Sequence, residues 1–215
     1  MQILYQDDSM LVIDKPAGLA TIPGGWESGT SSLVEQLGED FGRLWVVHRL
    51  DRGTSGVVLL ARTADVHRSL SILFERHLAH KVYHALVAGE PPWQEHTARH
   101  PLRINVGHSH RTAVDHGKGK PSETAFRVLE RFGKYSLLEA VPATGRTHQV
   151  RVHACALGFP LLGDVLYSGP AVEWIARPAL HALSLAFELD GQSFSFTAPY
   201  PTDFLSALEK LRAVG

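Results

Sequence analysis

The residues best suited to chemistry lie in one polar cluster before an apolar run at 57–61, and the cluster reads His48-Arg49-Leu50-Asp51-Arg52-Gly53-Thr54-Ser55-Gly56. Asp51 is flanked by Arg49 and Arg52 on a turn rich in Thr, Ser and Gly. Positive charge and turn N–H groups can hold such a carboxylate ionised, which suits a nucleophile or a general base. A loop aspartate that caps its own turn and pairs with a surface arginine shows the same pattern. The spacing alone leaves both interpretations open.

Charge is distributed unevenly along a chain whose net charge is only -1. Residues 1–42 hold one Lys or Arg against seven acids, whereas residues 99–151 hold ten against four. The basic stretch also contains His100, His108, His110 and His116. One part of the molecule could therefore attract a polyanion, or the charges could be dispersed over a solvated loop.

The strands that must position Asp51 are predicted from short apolar runs. Residues 3–5 and 10–13 predict two strands around a polar turn, and the Lys15-Pro16 step is expected to leave the sheet, which places Lys15 on a loop. The continuous run at 57–61 predicts a strand covered on both faces. Alternation at 81–88 predicts a further strand.

Two helices are predicted around this buried strand. Residues 21–30 read as an irregular loop, and Ser31-Ser32 caps a helix that Gly38 is expected to end. Thr63 is a good N-cap for a helix over 64–78 with one apolar side.

The second half of the chain mixes hairpins with helices, which favours an α+β fold over a regular βαβ alternation. Residues 94–122 show little periodicity and predict a long loop or a weak hairpin. Thr147 is expected to cap a helix closed by Gly158 that carries His148, Arg151 and His153. The remaining predicted elements are strands at 123–131, 135–141, 179–189 and 193–198, with a turn at Asp190-Gly191, and a helix at 203–212.

Composition excludes several classes of protein. The chain has 215 residues, 44% of them hydrophobic and 20% charged, which is typical of one globular domain spanning 1–215. Cys155 is the single cysteine, so an intramolecular disulfide and a zinc site with two thiolates are impossible. No apolar run approaches the ~20 residues of a membrane span, and residues 1–14 differ from a signal peptide. We therefore expect a cytoplasmic protein without membrane association.

Five sequence blocks occur in the order found in one enzyme family. They are Asp14-Lys15-Pro16-Ala17-Gly18-Leu19, the His48–Gly56 cluster, Lys81-x-Tyr83-x-Ala85-Leu86-Val87-x-Gly89, Gly119-Lys120-Pro121-Ser122-x-Thr124, and Thr144–His153 continuing to Gly158-x-Pro160-x-x-Gly163-Asp164-x-x-Tyr167. Together they resemble the RluA-type pseudouridine synthases over nearly the whole chain, and several ordered motifs are more specific than any one. The resemblance implies a pseudouridine synthase fold, in which a central, largely antiparallel mixed sheet is flanked by helices and loops.

The resemblance also implies roles for individual residues. Asp51 corresponds to the nucleophile, Tyr83 to a tyrosine that lies against the target base and handles a proton, and Arg151 to an arginine that pairs with the catalytic aspartate. The substrate is a uridine in ribosomal or transfer RNA, which is isomerised to pseudouridine without an organic cofactor. The sequence does not choose between attack at C1′ and proton abstraction at C2′. No metal and no obligate protein partner is implied.

Further residues are candidates for substrate binding. Arg49 could fill the base stack vacated by a flipped uridine, and the basic segment from Arg99 to Lys120 could grip phosphates. A structural turn arginine and a mobile surface loop are equally compatible with the sequence. The full set is Arg49, Arg52, Thr54, Arg146 and His148 near the site, with Arg103, Arg111, Lys118 and Lys120 in the basic segment.

Two alternatives belong to other functional classes. Thirteen histidines raise the question of a metal hydrolase, but His148 and His153 lie five apart and no HExxH motif occurs. A noncatalytic RNA-binding module of the same fold would have no need of Asp51, Tyr83 and Arg151 together. Because the chain begins with a catalytic-domain strand, we expect no small RNA-binding domain ahead of it, and RNA affinity must then come from the catalytic domain.

Overall fold

The computed structural model describes residues 1–23, 31–107 and 111–214. His108, His110 and most of the predicted loop at 21–30 lie outside these residues. The chain forms two compact units, Met1–Lys81 with Ala182–Tyr200 and Val82–His181 with Pro201–Gly215. Across the described part of the chain, every helix is too short or too polar to span a membrane.

The elements follow the predicted order. Up to residue 88 they are β1 (Gln2–Gln6), β2 (Met10–Lys15), α1 (Leu33–Phe41), β3 (Trp45–Val46), β4 (Ser55–Ala61), α2 (Ala64–Glu75) and β5 (His80–Ala88). Then come β6 (Glu95–Ala98), β7 (Leu102–Val106), β8 (Arg111–Val114), β9 (Thr124–Arg131), β10 (Tyr135–Pro142), α3 (Gln149–Ala156), β11 (Leu180–Leu189), β12 (Gln192–Thr197) and α4 (Thr202–Val214). The α+β prediction is confirmed.

The first unit is built around β4, whose seven residues are all buried. β2 pairs antiparallel with β4, from Met10 opposite Ala61 to Lys15 opposite Gly56, and β1 continues the sheet. Helix α2 adds Leu70 and Leu73 to the core beside β4. The predicted buried strand is confirmed, and its start is fixed directly after the Asp51 turn.

The second unit contains an antiparallel sheet in the order β5-β10-β9-β6 and a separate β7–β8 hairpin. Its core combines alternate residues of these strands with Val150 and Ala154 of α3. The weak hairpin considered for residues 94–122 therefore forms. Helix α3 is short and buried along almost its whole length, so its polar side chains need partners inside the protein.

Four local predictions are wrong. Lys15 is the last residue of β2 and is fully buried, because the strand continues up to Pro16. Gly38 lies inside α1, since a Ser32–Glu35 capping box nucleates the helix and an internal glycine costs only about 1 kcal/mol. Helix α2 ends at Glu75, three residues short of the predicted end. Thr147 is not the N-cap of α3: that position belongs to His148, which adopts a left-handed conformation at φ 55°.

The Gly56→Ala variant tests why the polar cluster ends in glycine. Gly56 has φ +114°, and a Cβ atom there would stand 2.1 Å from the Ala182 carbonyl oxygen. We expect a loss of about 2 kcal/mol or more in the free energy of unfolding, measured by urea denaturation. The control Gly38→Ala, whose Cβ meets nothing within 4 Å, should be neutral or stabilising. Equal stability of the two variants would contradict this explanation.

Candidate active site

Asp51 lies at the first position of a tight turn that leads into β4. The Thr54 N–H donates to the Asp51 carbonyl oxygen at 3.0 Å, which closes the turn, and Thr54 is only 2% exposed. The Asp51 side chain is half-buried, while Arg49 and Arg52 are exposed. The structure thus supports a turn-closing role for Thr54, and substrate contact by Thr54 and Arg49 stays a prediction.

The residues on both sides of Asp51 are held by the segment that follows β2. The Thr21 hydroxyl donates to the Leu50 carbonyl oxygen at 3.0 Å and accepts from the Leu50 N–H at 3.2 Å. The Gly18 N–H donates to the Arg52 carbonyl oxygen at 2.8 Å, and Arg52 Nε returns a bond to the Gly18 carbonyl oxygen at 2.9 Å. The main chain at Leu50 and at Arg52, on the two sides of Asp51, is therefore tied to the segment that follows β2.

Lys15 adds a buried cation to the same arrangement. Its Nζ donates to the carbonyl oxygens of Pro16 and Leu19, each at 2.8 Å, and lies 3.5 Å from that of Arg52. Carbonyl dipoles compensate part of the cost of burying this ammonium group. The first sequence block thus serves to hold the turn that carries Asp51.

His48 supports the start of the same turn. Its Nε2 accepts from the Leu59 N–H at 3.0 Å, and its ring stacks on Phe74 at 4.8 Å. Burial, together with the charge of Lys81, lowers the pKa of His48 to about 3. His48 is therefore a neutral structural residue, which its motif position did not reveal.

Tyr83 lies in β5 opposite Ala140 of β10. Its ring packs against the core cluster that contains Ala85 and Val87, on the same face of the strand. The neighbouring His84 faces the other way, toward Glu139. The strand thus fixes the Tyr83 ring in place, and its predicted contact with the target base stays a prediction.

Arg151 forms a buried ion pair with Asp164 that the sequence reasoning missed. Its Nε and Nη2 donate to the two carboxylate oxygens at 2.7 and 2.8 Å, and the side chains are 8% and 1% exposed. The Arg151 guanidinium also lies 5.0 Å from the centre of the Tyr167 ring. Asp164 and Tyr167 belong to the Gly163-Asp164-x-x-Tyr167 block, so the block could have suggested this role. The predicted pairing of Arg151 with Asp51 stays a prediction.

Gln149 holds the loop that precedes α3. Its Oε1 accepts from the Thr144 hydroxyl at 2.6 Å and from the Arg146 N–H at 3.0 Å. Its Nε2 donates to the Glu123 carbonyl oxygen at 2.8 Å and to the Thr124 hydroxyl at 3.0 Å. A buried amide thus satisfies four groups and fixes the loop of Arg146 and His148.

His153 is a structural residue with a defined tautomer. Its Nε2 contacts the His100 carbonyl oxygen at 3.0 Å, and because a carbonyl only accepts, Nε2 carries the proton. Its Nδ1 contacts the Thr124 hydroxyl at 2.9 Å, and burial lowers the pKa of His153 below its ordinary value. Both nitrogens are engaged, which argues against a metal site on this helix. In the described ranges no cluster of His, Cys, Asp and Glu could hold a metal ion.

His148 is connected to the β7–β8 hairpin through Tyr167. The Tyr167 hydroxyl accepts from the Thr112 N–H at 3.0 Å and lies 2.8 Å from His148 Nδ1. Burial raises the pKa of Tyr167 above its ordinary value, so the hydroxyl keeps a proton that it can donate to His148. The sequence reasoning placed both residues in one motif but missed this link.

Arg146 has a property unlike any other polar side chain in the described ranges. Its Nε is the one buried side-chain nitrogen or oxygen atom there without a hydrogen-bond partner. A buried unpaired donor costs about 1–3 kcal/mol, so the guanidinium gains when it finds an acceptor. Arg146 thus carries an unsatisfied buried donor, and its contact with substrate stays a prediction.

The cationic side chains of the basic segment differ in whether an acidic side chain pairs with them. Arg103 pairs with Asp115 at 3.1 Å, and Arg99 pairs with Glu123 at 2.8 Å. Arg111, Lys118 and Lys120 are exposed. Arg103 forms a direct ion pair with Asp115, whereas Lys118 only lies in the field of that carboxylate, so Arg111, Lys118 and Lys120 are the better candidates for binding a polyanion.

Comparison with known proteins places this arrangement in one enzyme class. A sequence model of the family described as RNA pseudouridylate synthase matches residues 9–156. The dual-specificity RNA pseudouridine synthase RluA of Vibrio vulnificus is 34% identical over 98% of this chain and 86% of its own, and that of Escherichia coli K12 is 37% identical over 92% of each. The structure of human RNA pseudouridylate synthase domain containing 4 superposes with a TM-score of 0.81 at 25% identity, over 98% of this chain and 92% of the other.

The chain belongs to the RNA pseudouridylate synthase family and, within it, to the RluA type. It is an isomerase that converts uridine to pseudouridine in RNA. The resemblance drawn from the five blocks is confirmed.

The Asp164→Asn variant tests the buried ion pair. Removing the carboxylate leaves a buried guanidinium without its counter-charge, and we expect a loss of about 3–5 kcal/mol in the free energy of unfolding. Glu130→Gln is a matched control, since Glu130 also binds an arginine, Arg212, through both oxygens, but the side chains of that pair are 34% and 49% exposed. We expect the control to lose about 1 kcal/mol. Similar losses in urea denaturation would show that burial does not set the strength of the Arg151 pair.

Proposed function

We propose that Asp51 supplies the carboxylate that reacts with a uridine of ribosomal or transfer RNA. The observation that carries the proposal is the turn itself: a half-buried aspartate lies between two backbone positions fixed by Gly18 and Thr21, in a chain of the pseudouridine synthase family. A carboxylate held in this way loses little conformational freedom in the transition state.

The reaction needs few groups. The N1–C1′ bond breaks, the uracil rotates while bound, C5 bonds to C1′, and C5 then loses its proton while N1 gains one, so the product is an isomer of the substrate. Asp51 either attacks C1′ or removes the C2′ proton, and both routes use an ionised carboxylate. Neither route changes the oxidation state or adds water.

Tyr83 and Arg151 complete the proposed site. The Tyr83 ring holds the freed uracil, and its hydroxyl relays the C5 proton. Arg151, aligned by its bonds to Asp164, orients the Asp51 carboxylate. The rigid support of both side chains within their unit supports these roles.

RNA binding is assigned to cations on the Asp51 turn, on the loop before α3 and in the basic segment. A flipped uridine costs a few kcal/mol, which contacts to the flanking strand must recover. Arg49 fills the vacated stack, Arg52, Arg146 and His148 contact the nucleotide, and the basic segment grips phosphates. The relatives are named dual-specificity RNA pseudouridine synthases, which supports more than one RNA target for this chain.

The Asp51→Asn variant tests the central assignment. Shape is preserved but the ionised oxygen is lost, so pseudouridine formation should fall at least about a thousandfold, with stability unchanged. The measurement is tritium release from C5-labelled uridine RNA, alongside thermal unfolding. Asp65→Asn, at an exposed aspartate of the same unit, is the control and should keep full activity. Turnover within tenfold of wild type would refute the role of Asp51.

Neutralising the basic segment tests its part in RNA binding. The triple variant Arg111→Gln, Lys118→Gln, Lys120→Gln should bind RNA more weakly, and the slope of log affinity against log salt should become shallower by about 0.7 for each phosphate that is no longer neutralised. Single-turnover rate at saturating RNA should not change. The single variant Arg103→Gln should have little effect, because Asp115 already compensates this charge. An unchanged salt slope in the triple variant would place the RNA on another surface.

A further inference from the structure

The β7–β8 hairpin carries an irregularity at the point where it meets Tyr167. Its register shifts between the pairs Arg103–Ala113 and Val106–Arg111, so that Ile104 and Asn105 stand opposite Thr112 alone. Asn105 has φ 57°, a left-handed conformation that asparagine tolerates. Such a bulge re-aims backbone groups away from the ladder, and bulges are common beside active sites.

The N–H group of Thr112 bonds Tyr167 at this bulge. Thr112 is only 2% exposed, so the Tyr167 hydroxyl provides the partner that this buried N–H requires. The same hydroxyl lies 2.8 Å from His148 Nδ1, at the start of the helix that carries Arg151.

The Tyr167 ring and its hydroxyl have separable tasks. The ring is 6% exposed and packs with Leu102 of the hairpin and Val152 of α3. Packing brings the two elements together but tolerates small shifts, whereas the hydroxyl fixes one backbone atom of the hairpin. A phenylalanine at this position would keep the packing and lose only the hydrogen bonds.

We infer that Tyr167 is a positioning residue, whose hydroxyl fixes the hairpin relative to the His148 loop. In that position the basic segment binds the RNA that flanks the reacting nucleotide. The inference rests on the proposed function, since it presupposes that Arg111, Lys118 and Lys120 bind RNA. Lys120 is included because its backbone exchanges two hydrogen bonds with Leu102 of β7, at 2.8 and 2.9 Å.

The Tyr167→Phe variant tests this inference with a stem–loop transcript that the wild-type enzyme modifies. We expect KM to rise about tenfold with kcat within twofold, and hydrogen exchange at the Thr112 amide to accelerate while α3 stays protected. Tyr135→Phe is the control, since that ring packs on Trp174 in the same unit, and its kinetics should be those of wild type.

A double-mutant cycle separates positioning from simple stability. If Tyr167 sets the hairpin for RNA, neutralising Arg111, Lys118 and Lys120 should cost less affinity in the Tyr167→Phe background than in wild type. Additive losses, an unchanged KM, or a fall in kcat alone would overturn the inference. If the triple variant binds RNA like wild type, the proposed RNA-gripping role is refuted and the inference falls with it, whereas additive losses from a weakened triple variant overturn the inference alone.

Discussion

A short buried helix that carries charge and polarity constrains the whole second unit. Arg151, Gln149 and His153 of α3 are all buried, so every one of them must find its partner inside the protein. The partners come from three separate segments: Asp164, the Glu123–Thr124 strand start, and the His100 carbonyl group. Satisfying these three side chains thus fixes the relative positions of three segments, of which one, at His100, lies in the basic segment and another, at Glu123–Thr124, borders it.

The first unit solves a related problem with backbone groups. The main chain on both sides of Asp51 is held in place, while the Asp51 side chain is left half-buried. Thr21, Gly18 and Lys15 supply that support from one continuous segment. The protein uses side-chain pairing in one unit and main-chain clamping in the other, and each suits the exposure of the group it holds.

The sequence predicted the elements better than the contacts between them. Apolar periodicity located β4, β9, β10 and the Asp190-Gly191 hairpin because burial on a sheet leaves a local pattern. The partner of Arg151 lies thirteen residues away on a loop, and the tautomer of His153 depends on a carbonyl group fifty-three residues away, so neither leaves a local signal. The predictions for Lys15 and Gly38 were wrong because a local signal was present but was overridden. Their residue types suggest a loop and a helix end, whereas tertiary contacts and the Ser32 capping box override those preferences.

The burial of Lys15 gives the Asp51 turn a built-in chemical reporter. An amine must leave its hydrogen bonds before it can be acylated, and the Lys15 Nζ is enclosed by carbonyl oxygens of the very segment that holds Arg52. Exposed lysines such as Lys118 react with an acylating reagent at once, whereas Lys15 reacts only in molecules whose turn has opened. The rate of Lys15 acylation, followed by mass spectrometry, would therefore report how often the turn opens. A bound RNA that keeps the turn closed would lower that rate.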